Sequence, residues 1–185
     1  MTTEKLKVTD HIICGFNAGT QSGEQAKATG VYYVECHDKD GKLKWSADSK
    51  NLVVNAGLAY MAGTALTSVT QITTWYLGLY GAAASNTPAA GDTMASHAGW
   101  TDITGYSNAT RPAFSPASST AGSSTNSASP AVFNINASNT IAGCFITTSS
   151  TVGGTAGILF SAADFASSRA VLSGDTLTVT YTVSC

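Results

Sequence analysis

Residues of the three types that form a nucleophilic triad lie close together near the middle of the chain, at Asp92, Ser96 and His97. In such a triad the histidine takes the serine proton, the carboxylate orients the histidine, and paired N–H groups hold the oxyanion. The G-x-S-x-G turn that exposes a serine nucleophile does not occur in the sequence. We therefore predict that Asp92 caps one helical turn over 92–97, that His97 is a loop residue near Trp100, and that the protein is not an enzyme.

Two further pairs, His11 with Cys14 and Cys36 with His37, supply the ligand types that zinc takes. Neighbouring side chains on an extended strand face opposite sides, so Cys36 and His37 are poorly placed to bind one ion. The run Asp-Lys-Asp-Gly at 38–41 begins like a calcium loop but lacks the later carboxylates and the bidentate glutamate. We expect a hairpin turn there, no metal site and no cofactor.

The remaining chemical candidates are weak. Gly153 and Gly154 lack the partner glycine and the lysine of a phosphate-binding loop and predict a turn. Five aromatic residues could line a platform for a sugar or a nucleotide, or fill the core or an interface of an all-β protein: Trp45, Trp75, Tyr76, Tyr80 and Trp100. The cysteines at 14, 36, 144 and 185 follow no disulfide framework and are expected to be reduced. No catalytic, cofactor-binding or metal-binding residue is predicted.

Charge is scarce and unevenly spread along the chain. Only 11% of the 185 residues are charged, against about 25% in an average soluble domain, and the net charge is −2. Because positive charge is not clustered, we expect no binding to nucleic acid or to an anionic membrane. So little charge protects a surface poorly against association. It is typical either of a surface that contacts protein or of an ordinary serine- and threonine-rich sandwich.

Most of this charge lies near the start of the chain. Residues 1–50 hold fourteen charged side chains, and the rest of the chain holds Asp92, Asp102, Arg111, Asp164, Arg169 and Asp175. No apolar run approaches the roughly 20 residues of a membrane-spanning helix. The first residues also lack a signal-peptide core, so we expect a soluble protein made in the cytoplasm.

The elements that would have to position any site begin after an arm. Residues 1–28 hold one short apolar cluster at 12–14, so we predict an N-terminal arm that becomes ordered only against a neighbour, and a single domain over 29–185. Segments 31–36 and 42–46 predict a hairpin. The apolar residues at 58, 61, 62, 65 and 66 share one face of a short helix predicted near 56–67.

Further strands are predicted at 71–80, 131–135, 140–147, 155–160 and 175–184. In the last of them apolar residues alternate with threonines, as in a strand with one buried face. Many short strands separated by glycine and Ser/Thr clusters indicate an all-β fold, an antiparallel jelly-roll-like β-sandwich with one short helix. The segment 115–130, with nine Ser or Thr among sixteen residues, is predicted to be a solvated loop that contributes no core.

Several runs of the sequence resemble a family of small structural proteins from tailed bacteriophages, over about residues 30–184. The resemblance lies in Gly-Lys-Leu-Lys-Trp at 41–45, Asn-Leu-Val-Val-Asn-Ala-Gly-Leu at 51–58, Ala-Gly-Asp-Thr-Met-Ala-Ser-His-Ala-Gly-Trp-Thr at 90–101, Thr-Arg-Pro-Ala-Phe at 110–114, Gly-Cys-Phe-Ile at 143–146 and Ser-Gly-Asp-Thr-Leu-Thr-Val-Thr-Tyr at 173–181. Within that family the chain is most similar to the cement, or head-decoration, proteins of short-tailed phages.

The resemblance implies a jelly-roll sandwich that forms a small symmetric oligomer, here a homodimer or homotrimer, and bridges subunits of the major capsid (coat) protein. It places the protein on the capsid exterior of the virion, after synthesis in the host cytoplasm. A cement protein stabilises the closed shell because it binds the shell and not its precursor. No catalytic residue is implied. A tail or tail-fibre-associated receptor-binding module is the alternative, and it would expose clustered aromatic residues for carbohydrate.

Overall fold

The predicted hairpin opens the fold. The computed structural model describes residues 28–82, 87–97, 99–119 and 121–185, and in it β1 (Thr29–His37) pairs antiparallel with β2 (Leu43–Lys50). Between them one carboxylate oxygen of Asp38 accepts the backbone N–H groups of Asp40 and Lys42, each at 2.9 Å. Gly41 has φ of +79°, a conformation that glycine adopts without strain. The run that begins like a calcium loop is therefore a hairpin turn.

Two antiparallel sheets form a β-sandwich, which confirms the predicted all-β class with a single short helix among the described residues. The five-stranded sheet consists of β1, β2, β7 (Ser123–Thr125), β8 (Ala131–Asn134) and β11 (Thr176–Ser184). Its strand order is β2-β1-β11, and β7 and β8 both pair with the other edge of β11. The six-stranded sheet consists of β3 (Leu52–Val53), β4 (Trp75–Ala82), β5 (Trp100–Asp102), β6 (Ala113–Phe114), β9 (Asn139–Thr147) and β10 (Leu159–Val171). Its strand order is β3-β10-β9-β4-β5, and β6 also pairs with β4.

The main core lies between the two sheets. The alternation in β11 is confirmed, since Leu177, Val179 and Tyr181 are at most 1% exposed and Val183 packs against the same cluster. The six-stranded sheet is also covered on its outer face by a second apolar cluster, which contains Val54, Tyr80, Met94, Trp100, Ala142, Phe145, Leu159 and Ala162. The five-stranded sheet has no such cover among the described residues, so the two sheets differ in how much of their surface meets solvent.

Helix α1 (Asn55–Leu66) forms where it is predicted, but the face that carries Leu58 and Leu66 does not pack on the sheet. Leu58 is 46% exposed and Leu66 is 81% exposed. The helix instead packs through Gly57, where an added Cβ would overlap the carbonyl oxygen of Phe160 in β10. Small residues let the helix backbone approach the sheet closely, and the larger apolar side chains are left outside.

Two loop predictions are also wrong. Residues 92–97 form no helical turn: the backbones of Thr93 and Ser96 pair with each other, and a carboxylate oxygen of Asp92 accepts the N–H of Ala89, which precedes it. Within the predicted loop 115–130, residues 123–125 form strand β7, and the amide of Asn126 is completely buried against β11. Strand β10 extends eleven residues beyond the predicted end at 160, to Val171.

Strand β1 begins at Thr29, the residue at which the single domain is predicted to start, and the domain boundary stays a prediction. Apart from Ala28, the predicted arm over 1–28 lies outside the described residues. Within the described part of the chain, no helix has the length and apolar character needed to cross a membrane.

Candidate protein-binding surface

The outer face of the five-stranded sheet is built by the strand alternation that buries its inner face. Because directly paired residues of an antiparallel sheet share a face, the register places the outward-pointing residues of four strands in one surface. We call this surface the threonine face; it contains Val31, Tyr33, Thr125, Val132, Thr178, Thr180 and Thr182.

The threonine face is formed mainly by methyl and hydroxyl side chains, and Val31, Tyr33 and Val132 are 39%, 43% and 40% exposed. Its charged residues lie on the β1 and β2 side: Glu35 is opposite Thr178, and Asp48 and Lys50 of β2 are opposite Tyr33 and Val31. The hydroxyl of Tyr33 donates a 2.8 Å hydrogen bond to the carboxylate of Glu35. A face of branched methyl groups and short hydroxyls loses little side-chain entropy on contact, so it suits protein contact better than binding of a small charged ligand.

A groove of about 640 Å³ opens where this face meets helix α1. Its walls come from the ends of β1, β2, β3 and β11 and from the first turns of the helix, through Val31, Asn51, Leu52, Leu58 and Thr182. Leu52 is 38% exposed, so the groove has solvent-accessible apolar walls. Ala28, the first described residue, also lines it.

The strongest buried polar arrangement is an ion pair at the other sheet. Arg111 is 0% exposed and its guanidinium donates a 2.6 Å hydrogen bond to Asp102, the last residue of β5. It also donates to the carbonyl oxygens of Ser149 and Gly154, each at 3.0 Å, and lies over the ring of Phe145. Burial raises the pKa of Asp102, although the guanidinium opposes that rise. Arg111 thus joins three loops, while its buried Nε–H has no hydrogen-bond partner among the described residues.

Asp175 joins strand β2 to the turn between β10 and β11 in a similar way. Its carboxylate accepts hydrogen bonds from Lys44 of β2 and from the backbone N–H of Leu172. Burial alone would raise the pKa of Asp175, but these two donors outweigh it and hold the pKa below its usual range. Burial of the Cys36 thiol, together with the negative charge of the nearby Asp175, raises the pKa of Cys36 to about 12. Cys36 is therefore a core thiol at neutral pH and not a nucleophile.

The structure does not assemble the candidate triad. His97 stacks on the ring of Trp100, with ring centroids 3.6 Å apart, and its Nδ1 lies 3.1 Å from the Trp100 carbonyl oxygen. Asp92 is committed to Ala89, and the backbone of Ser96 pairs with Thr93. His97 thus lies beside Trp100, as the sequence predicts, and each of the three residues has a structural partner.

The candidate zinc ligands are separated in the way that the strand geometry predicts. Cys36 is completely buried in the core, whereas His37 follows it on the outer side of β1. His11 and Cys14 lie outside the described residues. Among the residues described, no three His, Cys, Asp or Glu side chains are grouped around a possible metal position. The three described cysteines, Cys36, Cys144 and Cys185, are free thiols.

Three of the five aromatic residues considered for a carbohydrate platform pack in or against the apolar clusters. Trp100 is 4% exposed and Tyr80 is 0% exposed, and both belong to the second apolar cluster. Trp75 packs edge-on against Tyr60 and Phe160. Of the two interpretations left open by the sequence, core and not platform is correct for these three side chains.

Sequence reasoning missed the Arg111–Asp102 pair and the structural role of Asp175, although a signal was present. Beyond residue 50 the chain has six charges, and three of them, Asp92, Arg111 and Asp175, are no more than 7% exposed. Charges kept in an otherwise uncharged segment are those that a buried partner stabilises. All three also lie in the runs that carry the phage-family resemblance, where they close turns and join loops.

Comparison of the chain with protein-family models, curated proteins and solved structures finds no match.

Proposed function

We propose that this chain is a structural protein of a bacteriophage virion, a cement protein that binds the outside of the head and bridges coat subunits. The observation that carries the proposal is the threonine face, an open sheet surface with exposed Val31, Tyr33 and Val132, to which β7, β8 and β11 contribute no charged side chain. The sequence resemblance supports the same assignment, and its polar motif residues have structural roles in the fold.

The physical chemistry of such a role requires many modest contacts. A protein that binds only the closed shell stabilises it by mass action. Copies arranged on a symmetric lattice, each a small homo-oligomer, would make every contact multivalent. Short hydroxyl and methyl side chains tolerate slightly different neighbours better than charged pairs with fixed geometry, and this suits a lattice of similar but non-identical sites.

A tail-associated receptor-binding module is the weaker candidate. Such a module needs clustered exposed aromatic rings for stacking on sugars, whereas Tyr80 and Trp100 are buried here and Tyr33 is exposed among threonines and valines. Detection of the protein on the tail instead of the head would replace the proposal by this alternative.

The direct test is to locate the protein in purified virions by immunogold labelling or by electron cryomicroscopy. We expect copies on the outer surface of the head. The contact face is then tested by adding the purified Thr180→Lys variant to capsids that lack the protein. A lysine at the centre of a dry interface costs at least about 2 kcal/mol, so binding should weaken roughly 30-fold or more.

The matched control is Thr151→Lys, which places the same charge in an exposed loop after β9. We expect this variant to bind capsids like the unmodified protein. Head localisation with equal binding of both variants would keep the cement role and reject the threonine face as the contact. Absence from the virion would reject the proposed function itself.

A further inference from the structure

We propose that the groove beside helix α1 is the docking site for the N-terminal segment of the same chain, through the apolar cluster at 12–14. The proposal concerns contacts within one chain and is independent of the proposed virion role. It differs from the expectation that a neighbouring molecule is needed, because the structure supplies an apolar surface on the chain itself.

The walls of the groove fit aliphatic side chains. Leu52 and Leu58 contribute apolar walls that are 38% and 46% exposed in the described part of the chain. The groove volume of about 640 Å³ leaves room for several side chains, more than a single isoleucine requires. Ile12, Ile13 and Cys14 form the one short apolar cluster of the first 27 residues, so this cluster is the part of the segment suited to the groove.

The sheet edge beside the groove matches a peptide backbone. Strand β3 is the edge strand of the six-stranded sheet, and an edge strand offers unpaired backbone groups to an added extended segment. The groove also has polar lining residues, among them Lys50 and Asn51.

The distance along the chain favours the chain's own groove over that of a second copy. The segment enters the described structure at Ala28, which lines the groove. Thirteen residues, 15–27, lie between the cluster and Ala28, and a chain of that length reaches at most about 45 Å, long enough to return to the groove. The cluster therefore experiences its own groove at an effective concentration in the millimolar range, well above that of other copies at micromolar protein.

Native Cys14 allows a direct test in the full-length chain. We would introduce Leu58→Cys at the groove in a Cys185→Ser background, which removes the exposed native thiol. The matched control is Leu172→Cys, at an exposed leucine near the opposite end of β11. Each protein is treated with a short bismaleimide, and the linked peptides are identified by mass spectrometry.

We expect the groove variant to form a link to Cys14 within one chain at least tenfold faster than the control, at a rate independent of protein concentration. Adding Ile12→Asp and Ile13→Asp should remove the difference, since two carboxylates cannot enter an apolar groove. Equal rates for the groove and control variants would overturn the proposal. Links between two chains, with a rate that rises with concentration, would also overturn it and would assign the groove to the segment of a second copy.

Discussion

Replacement of Arg111 by methionine keeps an unbranched side chain but removes the buried positive charge and every hydrogen bond that the side chain donates. Three acceptors then lose a donor: the carboxylate of Asp102 and the carbonyl oxygens of Ser149 and Gly154. Asp102 keeps the backbone N–H of Gly153, at 2.7 Å. The variant therefore leaves a buried carboxylate with a single hydrogen-bond donor among the described residues.

The expected loss of stability is large compared with the total. Removing one member of a buried ion pair typically costs about 3–5 kcal/mol, because the other charge remains buried without compensation. A domain of this size is stable by about 5–15 kcal/mol. We expect the urea midpoint to fall by roughly 2 M and the melting temperature by about 10 °C.

A double-mutant cycle and a pH series identify the cause of this loss. Adding Asp102→Leu to Arg111→Met should cost less than the two single changes together, by about 2 kcal/mol or more. In the single variant the unpaired Asp102 should have an even higher pKa, so its folded state binds a proton more tightly than its unfolded state. Stability then falls as pH rises through the folded pKa, and the deficit should be smaller at pH 4 than at pH 7.

The control is the exposed pair of Lys39 and Asp40, whose side chains are 75% and 71% exposed. Lys39→Met should change the unfolding free energy by less than about 0.5 kcal/mol. If Arg111→Met costs less than about 1 kcal/mol, or if the double variant is simply additive, the buried pair does not stabilise the loops as described.

Three further predictions concern the fold. Because hydrogen-bond donors lower the pKa of Asp175 in the folded state, its stabilising contribution is present at neutral pH and is lost below about pH 4. Asp175→Asn should therefore flatten the acid part of the curve of unfolding free energy against pH. An unchanged curve would reject the stabilising role of Asp175. Gly78→Ala should lower the unfolding free energy by about 1–3 kcal/mol, because the added Cβ would overlap the buried ring of Phe145. The control Gly91→Ala places its Cβ in open space and should change the unfolding free energy by less than about 0.5 kcal/mol. Similar losses of stability for both variants would contradict the packing of Gly78 on Phe145. In a thiol titration of the native protein, Cys185 should react rapidly, whereas Cys36 and Cys144 should react only after unfolding. The unfolded chain should show all four thiols, and a count below four would indicate a disulfide.

Strand alternation was predictable wherever one face of a strand is buried against the opposite sheet and the other face is open. β11 and the first hairpin satisfy this condition, and both lie where the pattern places them. The short strands β3, β6 and β7 consist of two or three residues and carry no pattern of their own. They exist because a longer strand beside them offers free backbone groups, and this depends on tertiary position.

The candidate site divides in the same way. The scarcity of charge indicated a surface for protein contact, and the threonines of β11 were visible in the sequence. Their outward direction follows from the buried partners between them, Leu177, Val179 and Tyr181. The groove could not be predicted, since its walls come from four strand ends and a helix that are distant in the chain.

By itself the amino-acid sequence determined the all-β class, the first hairpin, the position of the helix and the scarcity of charge, because each depends on local propensity or composition. The tertiary structure decided which face of α1 is buried, since the sheet accepts the close approach of Gly57 and excludes Leu58. It also decided that Arg111 and Asp102 form a buried pair, as an isolated charge in sequence does not reveal its partner. The open outer face of one sheet and the covered outer face of the other follow from where the loop around Met94 and Trp100 packs, and that position is a property of the folded chain alone.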